Sequence, residues 1–148
     1  MEDLSLHILD IVDNSIRAMA KNIKIKIEEK IMENKLILEI EDDGIGIPDN
    51  FKNKVTDPFF TTKENKKVGL GLSLLEQAVK EAEGELKIES KLNKGTKITA
   101  IFKYDHIDRK PIGDIKKTLE TLVISHPEIN FIFEYNTGKD IYRFSSLE

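Results

Sequence analysis

The chain has no cysteine among its 148 residues, which removes disulfide frameworks and cysteine-ligated metals from consideration. Histidine is almost as scarce, and His106 and His126 stand without a second histidine or carboxylate at metal-ligand spacing. No apolar run approaches the length that spans a bilayer, and Met1-Glu2-Asp3 lacks the basic start of a secretory signal, so a soluble cytoplasmic protein is expected. Nor is there an excess of positive charge. Lys and Arg number 23 against 27 Asp and Glu, a net charge of -4, which argues against a dedicated nucleic-acid binder. The length suits one domain that can bury a core without staples.

Alternation and helical spacing dominate what is there. Ile8, Leu9, Val12, Ile16 and Met19 recur at helical spacing between Leu4 and Lys21, which predicts an amphipathic first helix. Ile23, Ile25 and Ile27 alternate with charged residues, as do Leu36, Leu38 and Ile40 beyond a turn at Glu33-Asn34, which predicts a hairpin. The glycine-rich "DDGIGIP" then reads as a loop, with Pro48-Asp49 able to open a short helix, and residues 54–69 read as a lid. A second long helix carries Leu72, Leu75, Val79 and Ala82 and stops at Gly84 as its cap. Strands over 86–92 and 97–102 flank the turn Asn93-Lys94-Gly95. This order predicts an α+β fold for residues 1–104, a two-layer sandwich with helices on one face of a mixed sheet. After a polar linker ending in Pro111, Ile112, Ile115, Leu119, Leu122 and Val123 form a helical stripe, and "INFIFEY" and "IYRF" form a hairpin around "NTGKD". Residues 105–148 are therefore a helix-plus-hairpin extension with too little core to stand alone, expected to pack on the same domain or on a partner.

Four short motifs in order carry the chemistry: "LDIVDNSIRA" from Leu9, "DDGIGI" from Asp42, "DPFFTTK" from Asp57 and "GLGL" from Gly69. Asp10, Asn14 and Arg17 share one helix face, with Val12, Ile16 and Met19 roughly opposite. A carboxylate, an amide and a guanidinium so placed suit a metal-triphosphate, since Asn14 offers a neutral oxygen fit for Mg²⁺ and Arg17 can hold phosphate oxygens bidentately. Taken alone, the same ridge reads as a solvated face whose charge pairs contribute about 0.3 kcal/mol each. Gly44 and Gly46 after Asp42 permit a tight loop and close approach of a planar ring. An ordinary turn is the alternative, and a calcium loop is disfavoured because the spaced oxygen ligands and terminal glutamate of an EF-hand are missing. Gly69 and Gly71 precede the second long helix, so their amides and its N-terminus can face phosphate; alone, they mark a loop-to-helix junction. Lys63, Lys66 and Lys67 add positive potential or are solvated charge, and Phe59 and Phe60 anchor the lid.

Together the four motifs resemble the GHKL superfamily, the ATP-binding domains of gyrase, the large heat-shock chaperone, histidine kinases and the mismatch-repair ATPase. "DPFFTTK" followed by "GLGLSLLEQAV" and "GELKIESKLNKGTKITAIF" is most similar to the histidine-kinase branch, over Leu4 to Tyr104. The resemblance implies a Bergerat-type fold with ATP and Mg²⁺ as cofactors. It implies that Asn14 holds magnesium, that Asp42 accepts a hydrogen bond from the adenine amino group, and that Thr96 joins the same network through water. It also implies a phosphate contact for Arg17 and nucleotide contacts for Gly44, Gly46, Thr62, Lys63, Gly69, Leu70, Gly71 and Leu72. Asp10 falls where superfamily ATPases place a glutamate that activates the nucleophile, which makes it the candidate general base, one methylene shorter than the family's residue. His7 sits in "LSLHILD", which lacks the acidic and Arg/Pro context of a phosphoacceptor helix, and reads as structural.

The activity so implied is that of a protein kinase passing the γ-phosphoryl group of ATP to an unidentified partner protein in signal transduction, without nucleic acid or membrane. With no dimerising phosphoacceptor hairpin expected ahead of the ATP domain, the free-standing design resembles anti-sigma-type serine kinases in size, and proteins of this size in the family often pair, which makes a homodimer an expectation. A nucleotide-operated switch or slow ATPase controlling partner binding shares every motif. A decayed interaction module is opposed by Asn14, Asp42, Gly44, Gly46, Gly69 and Gly71 all being kept.

Overall fold

The computed structural model describes residues 4–46, 66–105 and 114–147. In chain order its elements are α1 (Leu4–Arg17), β1 (Asn22–Lys30), a short 3-10 turn (Ile31–Glu33), β2 (Lys35–Asp42), α2 (Lys66–Glu81), β3 (Glu85–Lys91), β4 (Gly95–Lys103), α3 (Ile115–Ser125), β5 (Asn130–Asn136) and β6 (Ile141–Ser145). The strands form one mixed sheet in the order β3-β4-β2-β1-β5-β6, in which β1 and β5 run parallel and the other neighbours antiparallel. Helices pack on one face, so the fold is the α+β sandwich that alternation predicts.

Strand alternation decides which face is buried. Ile25 lies opposite Ile40, which lies opposite Ile98; Ile27, Leu38 and Ala100 make the next row, and these side chains are nearly inaccessible. A period of two turns Lys24, Lys26, Glu39 and Lys97 to the other face, where Lys97 pairs with Glu39 at 3.3 Å and Lys26 with Glu134 at 3.7 Å. Such exposed pairs contribute less than about 1 kcal/mol each, whereas each fully buried apolar side chain contributes about 1.5–3 kcal/mol. The apolar layer therefore holds the fold. α1 lays Leu4, Ile8, Ile11 and Val12 on it, and α2 lays Leu72, Leu75, Ala78 and Val79.

Both long helices end in the same backbone motif. Ala20 N–H donates to Ser15 O (3.1 Å) and Met19 N–H to Ile16 O (3.0 Å) behind α1; Gly84 N–H donates to Val79 O (2.8 Å) and Glu83 N–H to Lys80 O (3.0 Å) behind α2. The left-handed position is filled by Met19 (φ 64°) in one and Glu83 (φ 53°) in the other. Two expectations are corrected by this. Met19 leaves the apolar stripe and is 75% exposed, and Gly84 follows the left-handed position instead of occupying it. Gly84 is needed for another reason: a Cβ there would overlap the Ile101 carbonyl oxygen on β4.

α3 starts at an aspartate cap, Asp114, whose Oδ1 accepts the Lys117 amide at 3.0 Å. Its Leu119 and Leu122 are buried, and β5 extends the sheet beside β1, with Phe131 opposite Ile23 and Phe133 opposite Ile25. At the end of β1, Glu29 accepts hydrogen bonds from the Tyr104 hydroxyl (3.0 Å) and the Tyr135 hydroxyl (2.6 Å), linking β1 to the end of β4 and to β5. Among the described residues no helix is long and apolar enough to cross a membrane.

Candidate functional site

Strand pairing sets three polar residues in a row across one end of the sheet. Ser90 on β3 faces Thr96 on β4, which faces Asp42, the last residue of β2. By strand period each occupies a helix-facing position, continuing Leu86 and Ile88, Ile98 and Ala100, or Leu38 and Ile40. Ser90 Oγ donates to the Gly95 carbonyl at 3.0 Å and shares a hydrogen bond with Thr96 Oγ1 at 2.9 Å. From α1, Ser15 Oγ donates to Asp42 Oδ2 at 2.6 Å, while the Gly44 amide donates to Oδ1 at 2.9 Å. Ser15, Ser90 and Thr96 are buried and Asp42 is half-buried, so a carboxylate with accessible surface stands on a dry, hydrogen-bonded support. A carboxylate accepts up to about four hydrogen bonds, so two donors leave capacity for a ligand N–H.

The loop after Asp42 is held by its own backbone. Asp43 accepts from the Lys21 amide (2.8 Å), the Asn22 amide (2.9 Å) and Asn22 Nδ2 (2.8 Å). Burial pushes its carboxyl up, but the bonds from Asn22 and Lys21 outweigh that and hold it below the usual carboxylate range. Ile45 N–H donates to Ala18 O at 2.8 Å and Asn93 N–H to Ile45 O at 2.6 Å, pinning the loop between the end of α1 and the β3–β4 turn. A Cβ on Gly44 would come within 2.6 Å of the Ala18 carbonyl, one on Gly46 would overlap the Lys91 carbonyl, and one on Gly95 the Asp42 carbonyl. At Gly44 and Gly46 the absence of a side chain thus serves packing of the chain's own backbone.

Along α1, Asn14 is half-buried with its Oδ1 enclosed, whereas Asp10 and Arg17 are exposed. Arg17 Nε donates to Asp13 Oδ2 at 2.8 Å, and the rest of its guanidinium fork has further donors. His7 is 3% exposed inside α1, in keeping with a structural role. Because α2 already runs from Lys66, Gly69, Leu70 and Gly71 lie within it and not ahead of it, and regular helix geometry commits the Gly71 amide to the Lys67 carbonyl. Two helical glycines cost about 1 kcal/mol each, a cost that burial of Leu72 and Leu75 offsets. Leu72 itself is 1% exposed in the core, leaving only its backbone to offer a ligand. Thr62 and Lys63, with Phe59, Phe60, the helix at Pro48-Asp49 and His106, lie outside the described residues.

A cleft of about 250 Å³ lies at this end of the sheet, lined by Asp42, Ser90 and Thr96 together with Glu41, Glu89, Lys91, Lys94 and Lys97; Glu41, Glu89 and Lys97 belong by strand period to the face away from the helices, so the cleft borders the row from the side opposite its buried hydroxyls. A larger one, about 770 Å³, lies between α3 and the β5–β6 hairpin, but its lining is mainly apolar and shares no residue with the row. The helix-facing row around Asp42, and not either cleft, therefore marks the candidate site. Ser15, Ser90 and Asp43 were not picked out from the motifs. The signal for the first two was a small polar residue on an otherwise apolar face, Ser15 after Ile8, Ile11 and Val12, and Ser90 after Leu86 and Ile88.

Comparison with known proteins bears on the family and the fold. The signal transduction histidine-protein kinase ArlS of Staphylococcus aureus is 35% identical over 96 residues, 62% of this chain and 21% of its own. The catalytic domain of the histidine kinase ThkA superposes with a TM-score of 0.54 at 31% identity, covering 70% of this chain and 68% of that one. The N-terminal domain of a DNA repair protein superposes over 98% of this chain and 52% of its own with a TM-score of 0.67 and 17% identity, a likeness of fold that takes in the helix-plus-hairpin extension. The chain spans between 12% and 21% of the length of the curated relatives it matches. Residues 2–106 match the family described as histidine kinase-, DNA gyrase B- and HSP90-like ATPase, and with the polar row, the capped α1 and the glycine-packed loop in place, the chain belongs to that family.

Proposed function

We propose that this chain binds ATP with Mg²⁺ at the Asp42 end of the sheet and transfers the γ-phosphoryl group to a partner protein. The observation that carries the reading is Asp42 itself, oriented by Ser15 and Gly44 and left with acceptor capacity. The adenine amino group is the donor that this carboxylate would take, and the Thr96 hydroxyl beside it would join through water. Asn14 fits a magnesium role by chemistry, with one hard neutral oxygen that is enclosed in this structure and would have to turn toward the ion. Among the described residues no three His, Cys, Asp or Glu side chains converge, so phosphate and water oxygens would complete the shell. Bound there, the ion would neutralise triphosphate charge. Arg17, tethered by Asp13, presents its remaining donors to phosphate oxygens, and exposed Asp10, one helical turn before Asn14, would take the proton of the attacking group. A partner hydroxyl or imidazole is the acceptor class this chemistry serves. Use of ATP and the acidic charge balance favour a cytoplasmic setting in signal transduction, without nucleic acid.

One observation favours a nucleotide-operated switch as the second reading. Asp43, next to the adenine acceptor, bonds Asn22; Asn22 Oδ1 accepts from Asn130 Nδ2 (3.2 Å), and Asn130 Oδ1 accepts from Ser145 Oγ (3.0 Å). The site loop is thus tied to both strands of the C-terminal hairpin.

Calorimetric titration with a non-hydrolysable ATP analogue, with and without Mg²⁺, tests the shared step. Magnesium-dependent binding is expected, and Asp42→Asn should abolish it; a variant that retains full affinity would sink the assignment. Label from γ-labelled ATP appearing on a protein of a native lysate selects transfer, and nucleotide binding without label selects the switch.

A further inference from the structure

We propose that two copies of this chain pair through β6 and the apolar groove beside it, giving a two-fold homodimer with a continuous sheet. The groove of about 770 Å³ is lined by Leu119, Val123 and Ile124 of α3 and by Phe133, Tyr142 and Phe144 of the hairpin. It marks where the helical layer runs out. Phe133 on β5 is buried, but its cross-strand neighbour Phe144 is 47% exposed, Tyr142 is 60% exposed, and Ile124 on α3 is 79% exposed.

The two edges of the sheet differ in a way that selects the occupant. β3 reads ELKIESK, with Glu85, Lys87, Glu89 and Lys91 at alternate positions, a charge pattern that blocks edge-to-edge pairing. β6 reads IYRFS, without proline, glycine or lysine, and its one charge, Arg143, is engaged by Glu134 at 3.0 Å. An unguarded strand edge beside an apolar groove fits another strand that carries its own apolar face, and this chain supplies that combination. A lone helix from another protein would fill the groove and leave the edge unpaired.

Charge and area agree with self-pairing. The ionic residues of the groove are one lysine, Lys116, and one glutamate, Glu120, so the surface carries no net sign to repel its copy. With the two-fold axis normal to the sheet, β6 strands meet antiparallel and the α3 helices also run antiparallel. Ile124, Tyr142 and Phe144 leave roughly 400 Å² of apolar surface per copy, given the size of such side chains. At the apolar share of homodimer contacts this corresponds to an interface of roughly 1,200 Å², the lower range for stable association, before β6 backbone pairing is included.

Sedimentation of the full chain between about 1 and about 100 µM should show a dimer. Ile124→Glu, at an exposed position outside the core, should leave a monomer with unchanged circular dichroism over the same range. Because the chain has no cysteine, single variants report the geometry directly. Among Tyr142→Cys, Arg143→Cys and Phe144→Cys, the one nearest the axis should form a disulfide-linked dimer on mild oxidation, and Lys87→Cys on β3 should not. A wild type that stays monomeric, a dimer that survives Ile124→Glu, or cross-linking as strong from β3 overturns the proposal. So does a monomer that takes up an amphipathic helical peptide in the groove.

Discussion

Two carboxylates end the apolar face of the central hairpin, Asp42 at one end and Glu29 at the other, and they are put to different use. Each occupies the next helix-facing position after a run of buried aliphatics, Leu38 and Ile40 in one case, Ile25 and Ile27 in the other. Each receives one hydrogen bond per oxygen. Asp42 is held by a small hydroxyl and a loop amide, next to glycines packed on backbone. Glu29 is held by two phenols whose rings bridge three strands. Both carboxylates are half-buried, and what differs is what they join: a helix and a glycine loop at Asp42, three strands at Glu29. With equal numbers of hydrogen bonds, the elements joined separate a loop junction from a brace between strands.

The largest effect should come from Gly95→Ala. At φ 117° with the Asp42 carbonyl in the path of a Cβ, the change should cost about 3 kcal/mol and lower the melting temperature by about 10 °C, read by thermal unfolding. Next comes Ser15→Ala, which deprives Asp42 of its hydroxyl donor. A loss of about 1.5–2 kcal/mol in denaturant unfolding and about tenfold in nucleotide affinity by calorimetry are expected. Unchanged affinity would reduce Ser15 to a packing residue. Tyr135→Phe at the opposite end should cost about 1 kcal/mol and leave nucleotide affinity alone; a fall in affinity would break the contrast between the ends. The subtlest is Asp43→Asn. Because Asp43 is held below its ordinary value of 3.8, its stabilisation is complete above that pH and is lost as pH falls through the folded value. Urea unfolding should therefore show a wild-type advantage that is constant from about pH 5 to about pH 7 and shrinks below about pH 4.

Much of the fold was legible. Ile23, Ile25 and Ile27 against Lys24 and Lys26 announce a half-buried strand because side chains alternate across a sheet, and the β1–β2 and β3–β4 hairpins lie where such runs meet turn residues. Helix ends were less legible. Met19 and Glu83 take a backbone conformation usually given to glycine, since neighbouring hydrogen bonds impose it, and the boundary of α2 passed over Gly69 and Gly71 because burial of Leu72 and Leu75 outweighs their helix cost. At the site, Asp42 and Thr96 follow from motif and turn, but Ser15 and Ser90 do not, since their contacts join residues 27 and 6 positions apart only once strands and helix are packed.

By itself the sequence determined the period of each element, the apolar face it must bury and the order of the motifs, because these depend on neighbours within a few residues. Tertiary structure decided that β5 runs parallel to β1, that the site glycines pack against backbone carbonyls, and that Asp42 is joined to a helix and a loop while Glu29 ties three strands. Those outcomes depend on which distant donors arrive at each carboxylate, and no local pattern encodes the meeting of Tyr135 with Glu29 across 106 positions of chain.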